Sequence, residues 1–280
     1  MYLSVLGHPS YCYTGGKAFD SAKPTIVFIH GVLNDHSVWI LQTRYLAYHG
    51  FNVLAVDLPG HGRSAGAQHD VEPCRTVESA ADFILALLDA AGVQTAALVG
   101  HSFGSLIALE VAARAPQRVS HLAMVGTAFP MPVSPALLET SLNQPMKAID
   151  MVNTFSHSML APPPSALGPG TWLYGSSKAL MRRVQASNTK FNLFHIGFTA
   201  CNDYKNGLAG VKHASAAMLF VVGKSDQMTP PKAAMALVNE AKAQGKTVKV
   251  VALEAGHSLM TEAPDGVLMA LKEFLAPLSN

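Results

Sequence analysis

Gly100-His101-Ser102-Phe103-Gly104 is the stretch that decides how this 280-residue chain folds. It fits the pattern G-x-S-x-G, and its flanks give that pattern a mechanical meaning. Before it runs Thr95-Ala96-Ala97-Leu98-Val99, a short apolar run of the kind a buried strand needs. After it, Ser105 to Arg114 reads as a helix. A serine on so sharp a strand-to-helix turn has its hydroxyl pushed out of the sheet edge into a cleft. The small flanking residues let strand and helix pass close to each other.

Outward from this turn the same alternation continues. Upstream, Tyr2–Leu6 and Tyr11–Thr14 are β-prone, with His8-Pro9 expected as the turn between them. Thr25–Ile29 is an unbroken apolar run ending at His30-Gly31, and a helix is expected from about Val38 to His49, stopped by Gly50. Asn52–Val56 is the next buried strand, a Gly-rich loop leads to a helix near Val77–Ala91, and Val119–Val125 follows the serine helix as a further strand. Continuous apolar strands alternating with helices imply a mostly parallel sheet with helices on both faces, an α/β fold.

After the sixth strand the pattern breaks. Between about Phe129 and His213 only short helical stretches appear, expected at Pro135–Leu142, Met146–Thr154, Ser176–Ala186 and Asn188–Phe198. Pro-rich joints at Ala161-Pro162-Pro163-Pro164 and Gly168-Pro169-Gly170 separate them. The strand–helix pattern resumes with Ala216–Val222, a helix from Pro231 to Gln244, a strand at Thr247–Leu253 and a last helix from Asp265 to Leu275. Residues 1–128 and 214–280 are therefore expected to form one core, interrupted by a helical insertion at 129–213.

Composition narrows the function classes. Hydrophobic residues make up 49% of the chain, enough for a large core, and the formal net charge of +2 gives no surplus to attract nucleic acid or an anionic membrane surface. Cys12, Cys74 and Cys201 are widely spaced, so they form neither a metal-ligand pattern nor a disulfide framework. The N-terminus lacks a basic segment followed by a long apolar one, so no signal peptide is visible and a cytoplasmic protein is expected.

A serine hydroxyl is a poor nucleophile at neutral pH. It needs a base, an acid to orient that base, and donors aimed at the developing oxyanion. In an open parallel sheet these come from loops at the carboxyl ends of strands. The base candidate is His257, immediately after the last strand; His8, His49, His157 and His195 are less well placed. The acid candidate is Asp226 in Gly223-Lys224-Ser225-Asp226, with Glu254 a weaker rival. The alternative acid loop, Gly126-Thr127-Ala128, carries no carboxylate. By position, the oxyanion donors are the N–H groups of Phe103, after the serine, and Val32, after His30-Gly31.

These motifs carry a resemblance to the α/β-hydrolase superfamily in its single-domain form with a helical cap. The carrying segments are His30-Gly31, Asp57-Leu58-Pro59-Gly60-His61-Gly62-Arg63-Ser64, the Ser102 pentapeptide, Gly223-x-x-Asp226 and Gly256-His257. The resemblance implies that residues 129–213 are the cap and that the Asp57–Ser64 loop is structural. Serine at the elbow argues against the dehalogenases and epoxide hydrolases of the family, which carry aspartate there. Ser258-Leu259-Met260 after the histidine weakens a carbon–carbon hydrolase reading, and a lyase or a ligand receptor of the same fold stays open. By default the resemblance implies hydrolysis of a small or medium, largely hydrophobic ester, without metal or organic cofactor. His36, His101, Phe129 and Leu259 are expected at the pocket, with cap residues such as Met131, Met151, Met159, Leu160 and Met181 as further lining. The sequence leaves monomer or homodimer open.

Overall fold

Continuous apolar runs do occupy the middle of the sheet. Thr25–Ile29 (β3), Asn52–Val56 (β4) and Ala96–His101 (β5) are buried at every position, as strands covered on both faces must be. The structure, a computed structural model, describes residues 1–158 and 171–278. Tyr2–Val5 (β1), His8–Tyr13 (β2), Val119–Val125 (β6), Ala217–Gly223 (β7) and Val248–Leu253 (β8) complete one eight-stranded sheet, ordered β1-β2-β4-β3-β5-β6-β7-β8. The β1–β2 and β2–β4 pairs are antiparallel and all others are parallel.

Adjacent residues of each inner strand point to opposite faces. Leu98, Met124 and Phe220 join the cluster packed under Val77–Ala90 (α2) and Phe103–Arg114 (α3). Val99, Val125 and Val221 join the cluster that contains Leu46 of Ile40–Ala47 (α1) and Leu271 of Pro264–Leu275 (α11). Edge strand β8 instead alternates between half-buried and exposed positions. Helix α2 starts where Thr76 and Ser79 cap one another reciprocally.

The first hairpin turns two residues earlier than expected. Its two-residue loop is Leu6-Gly7, with φ of 51° and 84°. Positive φ at both positions matches the right-handed twist of the flanking strands. His8 and Pro9 lie inside β2, paired with Val5 and Ser4, in a stretch where β4 does not reach.

Between β6 and β7 the chain forms Pro135–Asn143 (α4), Pro145–Ser156 (α5), Leu173–Ala186 (α6), Leu193–Asp203 (α7) and Gly207–His213 (α8). Pro231–Ala243 (α9) and Leu259–Glu262 (α10) belong to the later part of the chain. Helix α7 starts at Leu193 rather than Asn188, because the Asn192 side chain accepts from His195 N–H as the cap. Asn188 instead accepts from Lys190 and Phe191 N–H in a turn. Helix α8 was not expected. Ile149, Val152, Val184, Leu193 and Phe194 form a core of the insertion, and Leu33, from the loop after β3, is buried in it. The two Pro-rich joints, Met159 and Leu160 lie outside the described residues. Among the described residues no helix is long and apolar enough to cross a membrane.

Candidate active site

Two glycines make the Ser102 turn possible. A Cβ on Gly100 would lie 2.1 Å from Gly104 O, and one on Gly104 would lie 2.3 Å from Ile29 O and 2.6 Å from His30 O. Strand β5, helix α3 and the end of β3 therefore meet at backbone contact, and any side chain there would push them apart. Ser102 itself holds φ 52° and ψ −118°, a region costly for a non-glycine residue, and its N–H is tied to Val125 O at 2.9 Å. The strain is borne by the one residue whose hydroxyl the turn exposes.

The ends of β7 and β8 are brought together the same way. A Cβ on Gly223 would stand 2.2 Å from Gly256 O. That close approach lets the two following loops touch, and His257 Nδ1 lies 2.8 Å from Asp226 Oδ2. Asp226 Oδ1 accepts from the N–H groups of Met228 and Thr229, each at 2.8 Å, and Oδ2 also accepts from Thr229 Oγ1 at 2.8 Å. Burial alone would raise the Asp226 carboxyl, but His257 and the Thr229 donors outweigh it and hold the group below its ordinary value. A carboxylate at Nδ1 fixes the proton there, which leaves Nε2 as the basic nitrogen. Ser102 and His257 border one cavity; no hydrogen bond joins Ser102 Oγ to His257 among the described residues. In resting enzymes such bonds are often long and tighten with substrate.

His101 lies beneath this pair. Its ring centroid is 4.7 Å from that of His257, and its Nε2 donates to His257 O at 2.9 Å. Burial, reinforced by the neighbouring His257, pushes its pKa down to about 3, so it stays neutral.

The two expected oxyanion donors are positioned by different devices. Phe103 opens α3, where the first N–H groups have no intrahelical acceptor. Val32 borders the cavity, and its peptide plane is fixed from behind. Leu58 N–H donates to His30 Nε2 at 3.1 Å, which places the His30 proton on Nδ1, and Nδ1 lies 2.8 Å from Gly31 O. Because the trans peptide is planar, holding Gly31 C=O on one side aims Val32 N–H to the other.

The cavity has a volume of about 290 Å³. Met131, Met151, Met181, Met228, Phe155 and Phe198 supply much of its wall, with Asn34, Gln227 and Cys201 among the others. Among the described residues, none that lines it is Asp, Glu, Lys or Arg. Residues 159–170 include no charged residue either, by sequence.

Of the four pocket residues expected beyond the triad and oxyanion positions, only His101 lines this cavity. Phe129 is occupied elsewhere: its ring lies where a Cβ of Gly207 would fall, 6.0 Å from that of Tyr204. Leu259 is fully buried against Gly126. His36 stands at a second cavity with Arg63 and Arg183, and its Nδ1 and N–H each lie 2.8 Å from Asp57 Oδ1. Asp35, His36 and Asp57 could in principle group around a metal ion. Each of the four carboxylate oxygens, however, already accepts from a protein donor: Ser37 and Arg183 for Asp35, His36 and Arg63 for Asp57. Glu254, the rival acid, is exposed and paired with Lys224. The sequence reading missed Thr229, Asn34 and the pinning of His30. Thr229 could have been found as the hydroxyl residue three positions after the aspartate, just before the Pro230-Pro231 start of helix α9.

A model of the alpha/beta hydrolase family matches residues 26–270. The chain is 29% identical over 270 residues to the dihydrolipoyllysine-residue acetyltransferase component of the acetoin cleaving system of Cupriavidus necator, a match covering 95% of this chain and 66% of that protein. It thus spans just under two thirds of that relative. Among solved structures, the enol-lactonase from Burkholderia xenovorans LB400 superimposes with a TM-score of 0.78, covering 99% of this chain and 100% of that one at 21% identity. The esterase from Exiguobacterium antarcticum gives 0.78, with 98% of each chain covered at 18% identity. At such identities these likenesses concern the fold. The family match takes in the elbow serine, the loops of Asp226 and His257 and the insertion between them, and this chain is a member of the alpha/beta hydrolase family.

Proposed function

We propose that this protein is a serine hydrolase that cleaves a small or medium, uncharged and mainly hydrophobic carboxylic ester through an acyl-enzyme. One observation carries the reading: a strained serine and an aspartate-paired histidine open on the same apolar cavity. Ser102 Oγ attacks the ester carbonyl as His257 Nε2 takes its proton. Asp226 holds the ring and stabilises its charged form, and the N–H groups of Phe103 and Val32 receive the oxyanion. His257 then protonates the leaving alcohol, and water, activated by the same ring, releases the acid.

Helices α4 to α7 act as the cap in this reading, since they supply Leu137, Met151, Phe155, Met181 and Phe198 to the cavity wall. Methionine walls adapt to varied shapes, whereas a carboxylate or ammonium on the substrate would have no partner there. The expected setting is the cytoplasm, supported by three cysteines that are free of disulfides. Fluorophosphonate labelling followed by mass spectrometry tests the nucleophile, and an ester panel varying acyl size, alcohol size and charge tests the cavity. Label on Ser102 that vanishes in Ser102→Ala, with neutral esters turned over faster than carboxylate-bearing ones, is the expected result. A Ser102→Ala protein that hydrolyses p-nitrophenyl butyrate as fast as wild type overturns it.

A further inference from the structure

The three consecutive backbone N–H groups around His257 are all held by acceptors outside their own loop segment. Gly256 N–H donates to Glu262 Oε1 at 3.1 Å, while His257 and Ser258 N–H both reach Ser156 O, at 2.8 and 3.2 Å. Ser156 is the last residue of α5, so that acceptor belongs to the insertion. The other Glu262 oxygen, Oε2, accepts from Ser158 N–H at 2.8 Å and from the Ser158 hydroxyl. A Cβ on Gly256 would stand 2.6 Å from Ser158 N and 2.7 Å from Ser156 O, so the insertion passes where that side chain would be. Glu262 is buried, and both of its oxygens face backbone N–H groups, which can only donate.

We infer that Glu262 is a positioning residue whose carboxylate fastens Ser158 of the insertion to Gly256 and so sets where His257 stands relative to Ser102. The inference rests on the reading of His257 as the general base. Glu262 acts through the backbone; among the described residues, the groups that meet the imidazole itself are Asp226, Thr229 and the neutral His101. Glutamine at 262 keeps the volume but turns an amide NH2 toward one of the two N–H donors, so one anchor must let go. Misplacing a catalytic group by about an ångström can cost about 10²-fold in rate, and kcat of Glu262→Gln is expected to fall by about 10- to 10²-fold.

The test compares wild type, Glu262→Gln, Glu262→Asp, Ser158→Ala and, as control, Glu254→Gln. Each is measured for kcat and KM on p-nitrophenyl butyrate, thermal melting, and the His257 imidazole resonances across pH by NMR. The expected result is a loss falling on kcat in Glu262→Gln, a smaller loss of the same kind in Glu262→Asp and Ser158→Ala, displaced His257 resonances in all three, and no change in Glu254→Gln. Folded Glu262→Gln with wild-type kcat and wild-type His257 resonances overturns the inference. If Glu262→Gln does not fold, the same lack of effect in Glu262→Asp and Ser158→Ala overturns it. Wild type that neither takes the fluorophosphonate nor turns over any ester overturns the hydrolase reading instead; the resonances of His257 still report whether Glu262 places the ring.

Discussion

Replacing Thr229 with valine removes a single hydroxyl from the centre of the proposed relay while keeping side-chain volume. That oxygen meets three polar atoms: Gly126 O at 3.0 Å, Asp226 Oδ2 at 2.8 Å and His257 Nδ1 at 3.0 Å. It has one proton to give, to Gly126 O or to Asp226, and it serves His257 Nδ1–H as a second acceptor beside the carboxylate. Thr229 is buried, so water does not replace it. A hydrogen bond to a charged group contributes about 1.5–3 kcal/mol, and its loss here falls mostly on the state in which His257 is charged. Since about 1.4 kcal/mol is a factor of ten, kcat should drop by about 10- to 10²-fold in Thr229→Val. The Thr229 N–H bond to Asp226 Oδ1 persists, so the acid loop keeps its shape. The assay is initial-rate hydrolysis of p-nitrophenyl butyrate, with folding checked by circular dichroism. A folded Thr229→Val enzyme with kcat within about twofold of wild type would refute the reasoning, because it would mean that Asp226 alone orients the imidazole.

Gly104→Ala should force α3 away from the end of β3, since the new Cβ meets two carbonyl oxygens within 2.6 Å. A stability loss of about 1–3 kcal/mol by chemical denaturation, with fluorophosphonate labelling slowed by about 10²-fold, is expected, and wild-type labelling would contradict it. At Ser102, with φ 52°, glycine suits the backbone and alanine does not, so Ser102→Gly should be more stable than Ser102→Ala by about 1 kcal/mol. Equal urea midpoints for the two inactive proteins would show that the turn stores no strain. Stability should also fall on acidification below about pH 6.5. His101 and His61 are pushed down to about 3 and about 4 by burial, and His30 is lowered too. Between those values and the ordinary histidine range the unfolded chain binds protons that the folded one refuses, so each group removes up to about 1.4 kcal/mol per pH unit as pH drops. His61→Gln should flatten the dependence of the urea midpoint between about pH 6.5 and about pH 4.5, and an unchanged slope would disprove its share.

The sequence was readable where chemistry and backbone geometry coincide. Ser102 could be placed because glycines at 100 and 104 flank it in sequence, Gly100 answering to a contact inside the strand–turn–helix unit and Gly104 to the end of β3. Asp226 and His257 could be placed because each lies in the loop after a strand, three residues past β7 and four past β8. The pocket wall was not readable in the same way, since it depends on where side chains point after distant segments pack. Phe129 looked like lining and instead covers Gly207, a contact set by α8, whose two glycines hide a helix from any propensity reading. Leu259 sits two residues past His257, but in α10 it turns back under Gly126. His36 follows the oxyanion segment closely, yet Asp57 draws it to the other side of the loop. The helix expected from Asn188 starts at Leu193 because each of Asn188 and Asn192 accepts from the N–H three residues on, and the helix follows the second of them.

The lone pair of His30 Nε2 is engaged by Leu58 N–H, and its proton by Gly31 O. A second proton can therefore enter that ring only by expelling Leu58 N–H, whereas the Nδ1–H bond that holds the Gly31–Val32 peptide survives. Acid therefore loosens the Asp57–Ser64 loop, through Leu58, before it loosens the amide proposed to receive the oxyanion.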